Sequence, residues 1–390
     1  MWMKKCFVGI VFMAVGAILF PSTTRGQFQS PIILQPANPD GSFGFGLASG
    51  DVTGDGIADV VAGSVLTSVG GRNAAGVVHV FSGGAPPHTS PDLTLQAPSP
   101  EGGARFGWSI AIGDVNGDGQ KDIIVSALFA NGGTDNGTGA VYIFFGGTLL
   151  DAQADATLQV SGLNPLAHFG WSLAAGDVTG DGIDDVVVGA ENVRVGGRRQ
   201  AGEVFLFSGS RSFSGTLTAS FLSPAPQEGG AFGNSVAVGN LNGDPFADII
   251  VGAPNEDAGG AQESGRTYVF LGGSTVDPTV DAALSLPAPL PSSGFGAAVT
   301  SGDVNGDGFD DVIVGTPHPR LTRSLFSAQS DPGEVYIFLG GNPFDSTSDR
   351  RLQAPAPARN DAFGGSLAAG DVNRDGSDDL IVGSLAIVSG

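Results

Sequence analysis

The chain has 390 residues, 64 of them glycine and 24 proline, yet 41% of it is hydrophobic. That apolar share can build a core and excludes a disordered low-complexity polymer, while the glycine and proline content points to many tight turns. A formal net charge of −22 argues against nucleic acid or an anionic membrane as partner and fits a protein that holds cations.

At the N-terminus, Lys4 and Lys5 precede an apolar run from Cys6 to Phe20, and polar residues follow to Gly26. This is the pattern of a secretory signal peptide over 1–26. The run is short of the roughly 20 residues that a spanning helix needs, and no second such run follows, so no membrane span is expected; a retained N-terminal anchor is the alternative. Cys6 is the sole cysteine, so the mature chain, 27–390, has no disulfide. A secreted chain without disulfides needs other staples, and bound metal is one of them. The stretch from Pro31 to Gln35 looks like the last strand of a repeated unit, and 28–36 is expected to close the final blade.

From Phe43 onward the chain repeats. Phe-Gly occurs at Phe43, Phe106, Phe169, Phe232, Phe295 and Phe363, and the third residue after each Phe is small: Gly46, Ser109, Ser172, Ser235, Ala298 and Ser366. A short strand leads from there into a nine-residue loop. The loops start at residues 51, 114, 177, 240, 303 and 371, so four successive intervals are 63 and the last is 68. A fixed period signals a repeat architecture.

Ca²⁺ is a hard cation that takes six to eight oxygens, and side-chain oxygens at positions 1, 3 and 5, a carbonyl at 7 and a carboxylate at 9 can wrap one ion. Each loop fills these places. They are Asp51, Thr53, Asp55, the Ile57 carbonyl and Asp59 in the first loop, and Asp114, Asn116, Asp118, Gln120 and Asp122 in the second. The third has Asp177, Thr179, Asp181, Ile183 and Asp185; the fourth has Asn240, Asn242, Asp244, Phe246 and Asp248. The fifth has Asp303, Asn305, Asp307, Phe309 and Asp311; the sixth has Asp371, Asn373, Asp375, Ser377 and Asp379. An EF-hand would need flanking helices and a Glu at position 12, where the first two loops have Ala62 and Val125. Instead, β-branched runs such as Ile249 to Val251 follow the loops and predict strands.

A third strand appears over Gly76–Phe81, Ala140–Phe144 and their equivalents, and a less regular fourth follows, making four strands per unit with no sustained helical period. Such units stack to hide their edges. The expected fold is all-β: a β-propeller of four-stranded antiparallel blades, six repeats visible with the last incomplete, and seven in a longer chain. A row of separate sheets or a linear solenoid is the alternative.

Phe-Gly, the Asp-rich loop and the Val-Gly-Ala-Pro that ends at Pro254 together resemble the FG-GAP repeats of integrin α-subunit propellers and their bacterial relatives. The resemblance implies a propeller, usually of seven blades, with calcium loops on the lower face and ligand binding on the upper. Three features depart from that pattern: Asn240 and Pro245 weaken the fourth loop as a metal site, and Arg374 puts a cation in the sixth.

Catalytic signals are sparse, since His79, His88, His168 and His318 share no spacing and neither Ser109 nor Ser172 opens a nucleophile elbow. No enzyme activity is expected. Trp108 and Trp171 occupy equivalent places near the upper rim, and Arg72, Arg198, Arg199, Glu256, Asp257, His318 and Arg320 lie in variable loops on that side. Loops on a rigid scaffold are where recognition resides. The expectation is a secreted, Ca²⁺-binding adhesion or ligand-binding module for an extracellular protein or glycan. An accessory propeller of a phospholipase-like hydrolase and a structural surface protein are the alternatives.

Overall fold

The computed structural model describes residues 17–19, 22–23, 27–28, 32–36, 42–131, 137–317, 332–355 and 362–384. Beyond a few strand residues, the proposed leader 1–26 lies outside this set, as do His318 and Arg320. The described residues contain strands and no helix.

Five four-stranded sheets and a sixth of two strands follow one another along the chain, each antiparallel and ordered as in sequence. The second blade shows the plan: Phe106–Gly113, Asp122–Ala127, Ala140–Phe144 and Ala156–Leu158. The inner strands pack side by side in order, from Phe43–Gly50 to Ser366–Gly370. This radial stacking of blades is a β-propeller arrangement.

The second strand explains why its sequence is a run of Val and Ile rather than an alternation. Every residue of Asp122–Ala127, Asp185–Ala190, Asp248–Ala253 and Asp311–Thr316 is buried, because neighbouring blades cover both faces of the sheet. The core therefore lies between blades. One cluster joins Val61, Val78, Val80 and Leu95 of the first blade to Phe106, Tyr142 and Phe144 of the second.

The Phe-Gly pair closes each interface. Phe169 is fully buried, with its ring centroid 5.6 Å from that of Phe205 and 6.0 Å from that of Phe207. The adjoining glycine turns its carbonyl toward the preceding blade: Ser172 Oγ donates to Gly233 O at 2.9 Å, and Ser235 Oγ to Gly296 O at 2.8 Å. The small residue three places after Phe leaves room for this approach.

Among the described residues Ile32–Leu34 pairs with Ala17–Leu19, and the described strands of the sixth blade are Ser366–Gly370 and Asp379–Gly383. Leu34 finds apolar cover against Ala62 and Phe81 of the first blade. Phe45 and Leu47 of the first blade stay 52% and 40% exposed, and Ile381 of the sixth 40%.

Candidate calcium loops and the upper rim

All six loops join an inner strand to a second strand, so they gather at one end of the propeller, opposite the Phe-Gly turns. Within a loop, the first carboxylate organises the backbone. Asp114 Oδ1 accepts the N–H of Gly117 at 2.8 Å and of Asp118 at 3.2 Å, and its Oδ2 accepts that of Gly119 at 2.9 Å. Asp118 Oδ1 accepts the Gln120 N–H at 2.8 Å. Gly119 takes a φ of +87°, a conformation that glycine adopts without penalty.

The last position has a second role. Asp59, Asp122, Asp185, Asp248 and Asp311 are fully buried. Asp122 Oδ2 accepts the Val115 N–H at 2.8 Å while Oδ1 accepts the Gly146 N–H at 2.9 Å, which pins the loop to the turn after the third strand of its own blade. Asp59 does the same with Val52 and Gly83, and Asp248 with Leu241 and Gly272. Burial pushes Asp122, Asp185, Asp248 and Asp311 up to about 6 against the pull of these N–H groups, and the other loop carboxylates push the same way. A buried carboxylate without a counter-charge is costly, and a divalent cation is the group that removes that cost.

Among the described residues no three acidic side chains converge as a closed metal site, because the carboxylates are turned onto their own loop N–H groups. The donor set still suits Ca²⁺ by its chemistry, being all oxygen with several carboxylates per loop. Asp114, Asn116, Asp118, the Gln120 carbonyl and Asp122 would hold the ion in the second loop, with equivalents in the others. The fourth loop differs in kind. Asn240 keeps the acceptor role toward Gly243 N at 2.8 Å, but its Nδ2 donates to Asp244 O at 2.6 Å, so an amide replaces a carboxylate and satisfies the loop internally.

Two features escaped the sequence analysis. Position 8 bridges blades: the Asp184 N–H donates to Asp114 O at 2.9 Å, and Asp184 Oδ2 accepts the Asp114 N–H and pairs with Lys121 Nζ, each at 2.8 Å. Asp310 repeats the bridge to Asn240, and the Asp378 N–H donates to Asp303 O. Position 7 packs across the same boundary: a Cβ on Gly117 would overlap Ile183, and one on Gly243 would overlap Phe309. Hence position 4 is glycine in loops one to five, where the next loop's position 7 covers it; the sixth loop has Arg374 there. The Asp-Asp doublets at 184–185, 310–311 and 378–379 were the available signal.

At the opposite end the structure brings Trp108 and Trp171 together, with ring centroids 5.1 Å apart, and adds Phe45 at 4.5 Å from Trp108. Arg198 and Asp257 line a polar cleft of about 710 Å³ with Gln227, Glu228 and Glu263. Arg72 stands elsewhere on this side, with its guanidinium donating to Pro100 O at 2.7 Å. Of the four histidines, His79 is packed beside Thr94 in a third strand, and His168 lies 2.7 Å from Glu191.

Glu256, unlike Asp257, is buried: its Oε2 accepts the Tyr268 hydroxyl at 2.5 Å, and its Oε1 has no partner. Burial raises its carboxyl above the ordinary value, opposed by Ser223, Tyr268 and Arg266 and aided by Asp257. An acid raised in the folded state binds its proton more tightly there than in the unfolded chain. Its contribution to stability is therefore present at low pH and falls as pH rises from the ordinary carboxylate value through the folded one. Glu256→Gln is expected to raise the Tm at pH 8 and leave it unchanged near pH 4, read by calorimetry at both.

The fold and its loops define a repeat β-propeller whose inter-strand loops are built from acidic side chains. A family model for the FG-GAP repeat matches residues 106–144, 169–207, 232–270, 295–338 and 363–385. The chain is 32% identical over 236 residues to integrin alpha-5 of Xenopus laevis, covering 57% of this chain and 20% of that protein. It is 26% identical over 371 residues to phosphatidylinositol-glycan-specific phospholipase D of Bos taurus, covering 87% of this chain and 42% of that protein. Among solved structures, the Dos1 propeller superposes with a TM-score of 0.41 at 12% identity, over 76% of this chain and 55% of the other. This is an integrin-alpha-like FG-GAP repeat protein, spanning about a fifth to two fifths of the length of these curated relatives.

Proposed function

We propose that this propeller is secreted, holds Ca²⁺ in its lower loops as a structural ion, and recognises an extracellular protein or glycan through its upper rim. The observation that carries the reading is the recurrence in five consecutive blades of a fully buried aspartate, each at the foot of a loop with further acidic side chains. Neutralising such a cluster links ion binding to folding. The similarity to integrin alpha-5 supports an adhesion or ligand-binding role, and the basic-then-apolar leader 1–26 supports secretion.

Titration calorimetry of Ca²⁺ into the chelator-stripped protein tests the metal assignment. Loops one, two, three and five are expected to take one ion each, and Asp177→Ala to lower the count by one while Asn240→Ala leaves it unchanged. Absence of binding heat contradicts the assignment. A second reading, an accessory propeller for a hydrolase, is favoured by the alignment with the phospholipase over 87% of this chain. Turnover of a glycosylated phosphatidylinositol by the purified chain would favour it.

A further inference from the structure

The upper rim is not symmetric. Two residues after each Phe of the Phe-Gly pair, the first three blades carry Phe45, Trp108 and Trp171, whereas the next three carry Asn234, Ala297 and Gly365. The three aromatic rings form a continuous arc, with centroids 4.5 Å and then 5.1 Å apart and planes inclined at 45° and 47°. Phe45 is 52% exposed, and both tryptophans keep part of their surface open.

A cation is built into this arc. The guanidinium of Arg105 lies 5.9 Å from the Trp108 ring centroid and 5.0 Å from that of Phe129. Its Nε is enclosed with no hydrogen-bond partner, and among the described residues no carboxylate pairs with the group. Two acids near the cluster have other partners: Glu191 Oε1 lies 2.7 Å from His168 Nδ1, whose imidazole stacks on Trp171 at 5.4 Å and 22°, and Glu101 Oε1 accepts the Asn131 N–H at 3.3 Å. Two aromatic faces thus hold a fork-shaped cation with no carboxylate, its natural complement, against it among the described residues.

The complement of such a surface is a molecule with flat C–H faces for the rings and a carboxylate for the fork. A chain of net charge −22 disfavours a dense polyanion, so the ligand carries its acid groups sparsely. We propose that the Phe45, Trp108, Trp171 and Arg105 arc binds a glycan containing uronic acid. This rests on the reading of the upper rim as the ligand-binding face.

The test uses the full calcium-loaded chain, calorimetry and tryptophan fluorescence. The probes are a hyaluronan tetrasaccharide, with one carboxylate per disaccharide, neutral chitotetraose and a glutamate-rich peptide. The tetrasaccharide is expected to bind and perturb tryptophan emission, more tightly than either comparator. Arg105→Asn is expected to weaken that binding roughly tenfold or more with Tm unchanged, because asparagine tolerates the φ of +56° at this position. Arg105→Lys, which keeps the charge but loses the fork, should also weaken it. No binding of the tetrasaccharide, equal binding of chitotetraose or the peptide, or wild-type affinity in Arg105→Asn overturns the proposal. The Ca²⁺ titration reads the lower loops independently, so failure at the rim is distinguishable from failure of the calcium assignment.

Discussion

Phe169→Ala is expected to lower the unfolding free energy by about 3–5 kcal/mol, the range for removing a fully buried aromatic from a core that cannot collapse around the gap. The site makes collapse difficult. Phe169 is held between blades, against Phe205 and Phe207 of its own blade and in one cluster with Ile124, Val141 and Ile143 of the preceding one. Its neighbours are fixed in ladders on both sides. Phe295→Ala, equally buried and set against Tyr336 and Phe338, should lose a similar amount. Chemical denaturation reads both, and a loss below about 1 kcal/mol would mean that the blades do not share a rigid core.

The second large effect is expected at Asp122. Asp122→Ala strands the Val115 and Gly146 N–H groups in a buried site, at a cost of about 2–6 kcal/mol for two orphaned donors. In the same stroke it removes a proposed Ca²⁺ ligand. The two losses separate by condition: the backbone part persists in chelator, while the metal part appears only with Ca²⁺ present. Denaturation of wild type and variant in both solutions yields each. Equal stability of the two proteins in chelator would contradict the staple role of Asp122, and an unchanged difference on adding Ca²⁺ would contradict its role as a ligand.

Much of the fold was legible because its signals are local. The Phe-Gly pair, the nine-residue loop and the β-branched strand after it follow within about 20 residues, and their recurrence announced the blades. Loop membership and strand order needed no long-range information. Less visible were contacts between units. Asp184 reaches the backbone of Asp114 from 70 residues away, and nothing in one repeat shows that its eighth loop position serves the repeat before it. The glycine at position 4 looked like part of the calcium turn, yet the side chain of Ile183 over Gly117 shows a packing constraint from the next blade. The pairing of Ile32–Leu34 with Ala17–Leu19 was not legible for the same reason: a short apolar strand suits any open flank, and its partner is set by geometry rather than by its own residues.

Thermal unfolding of the full chain in excess Ca²⁺ and in excess chelator tests the central claim most directly. Neutralisation of the buried loop carboxylates predicts a Tm higher by about 10 °C or more with Ca²⁺, since several sites contribute and ions held far above their dissociation constants each add a few kcal/mol. A Tm that is the same in both solutions would reduce the six loops to acidic turns and contradict the account.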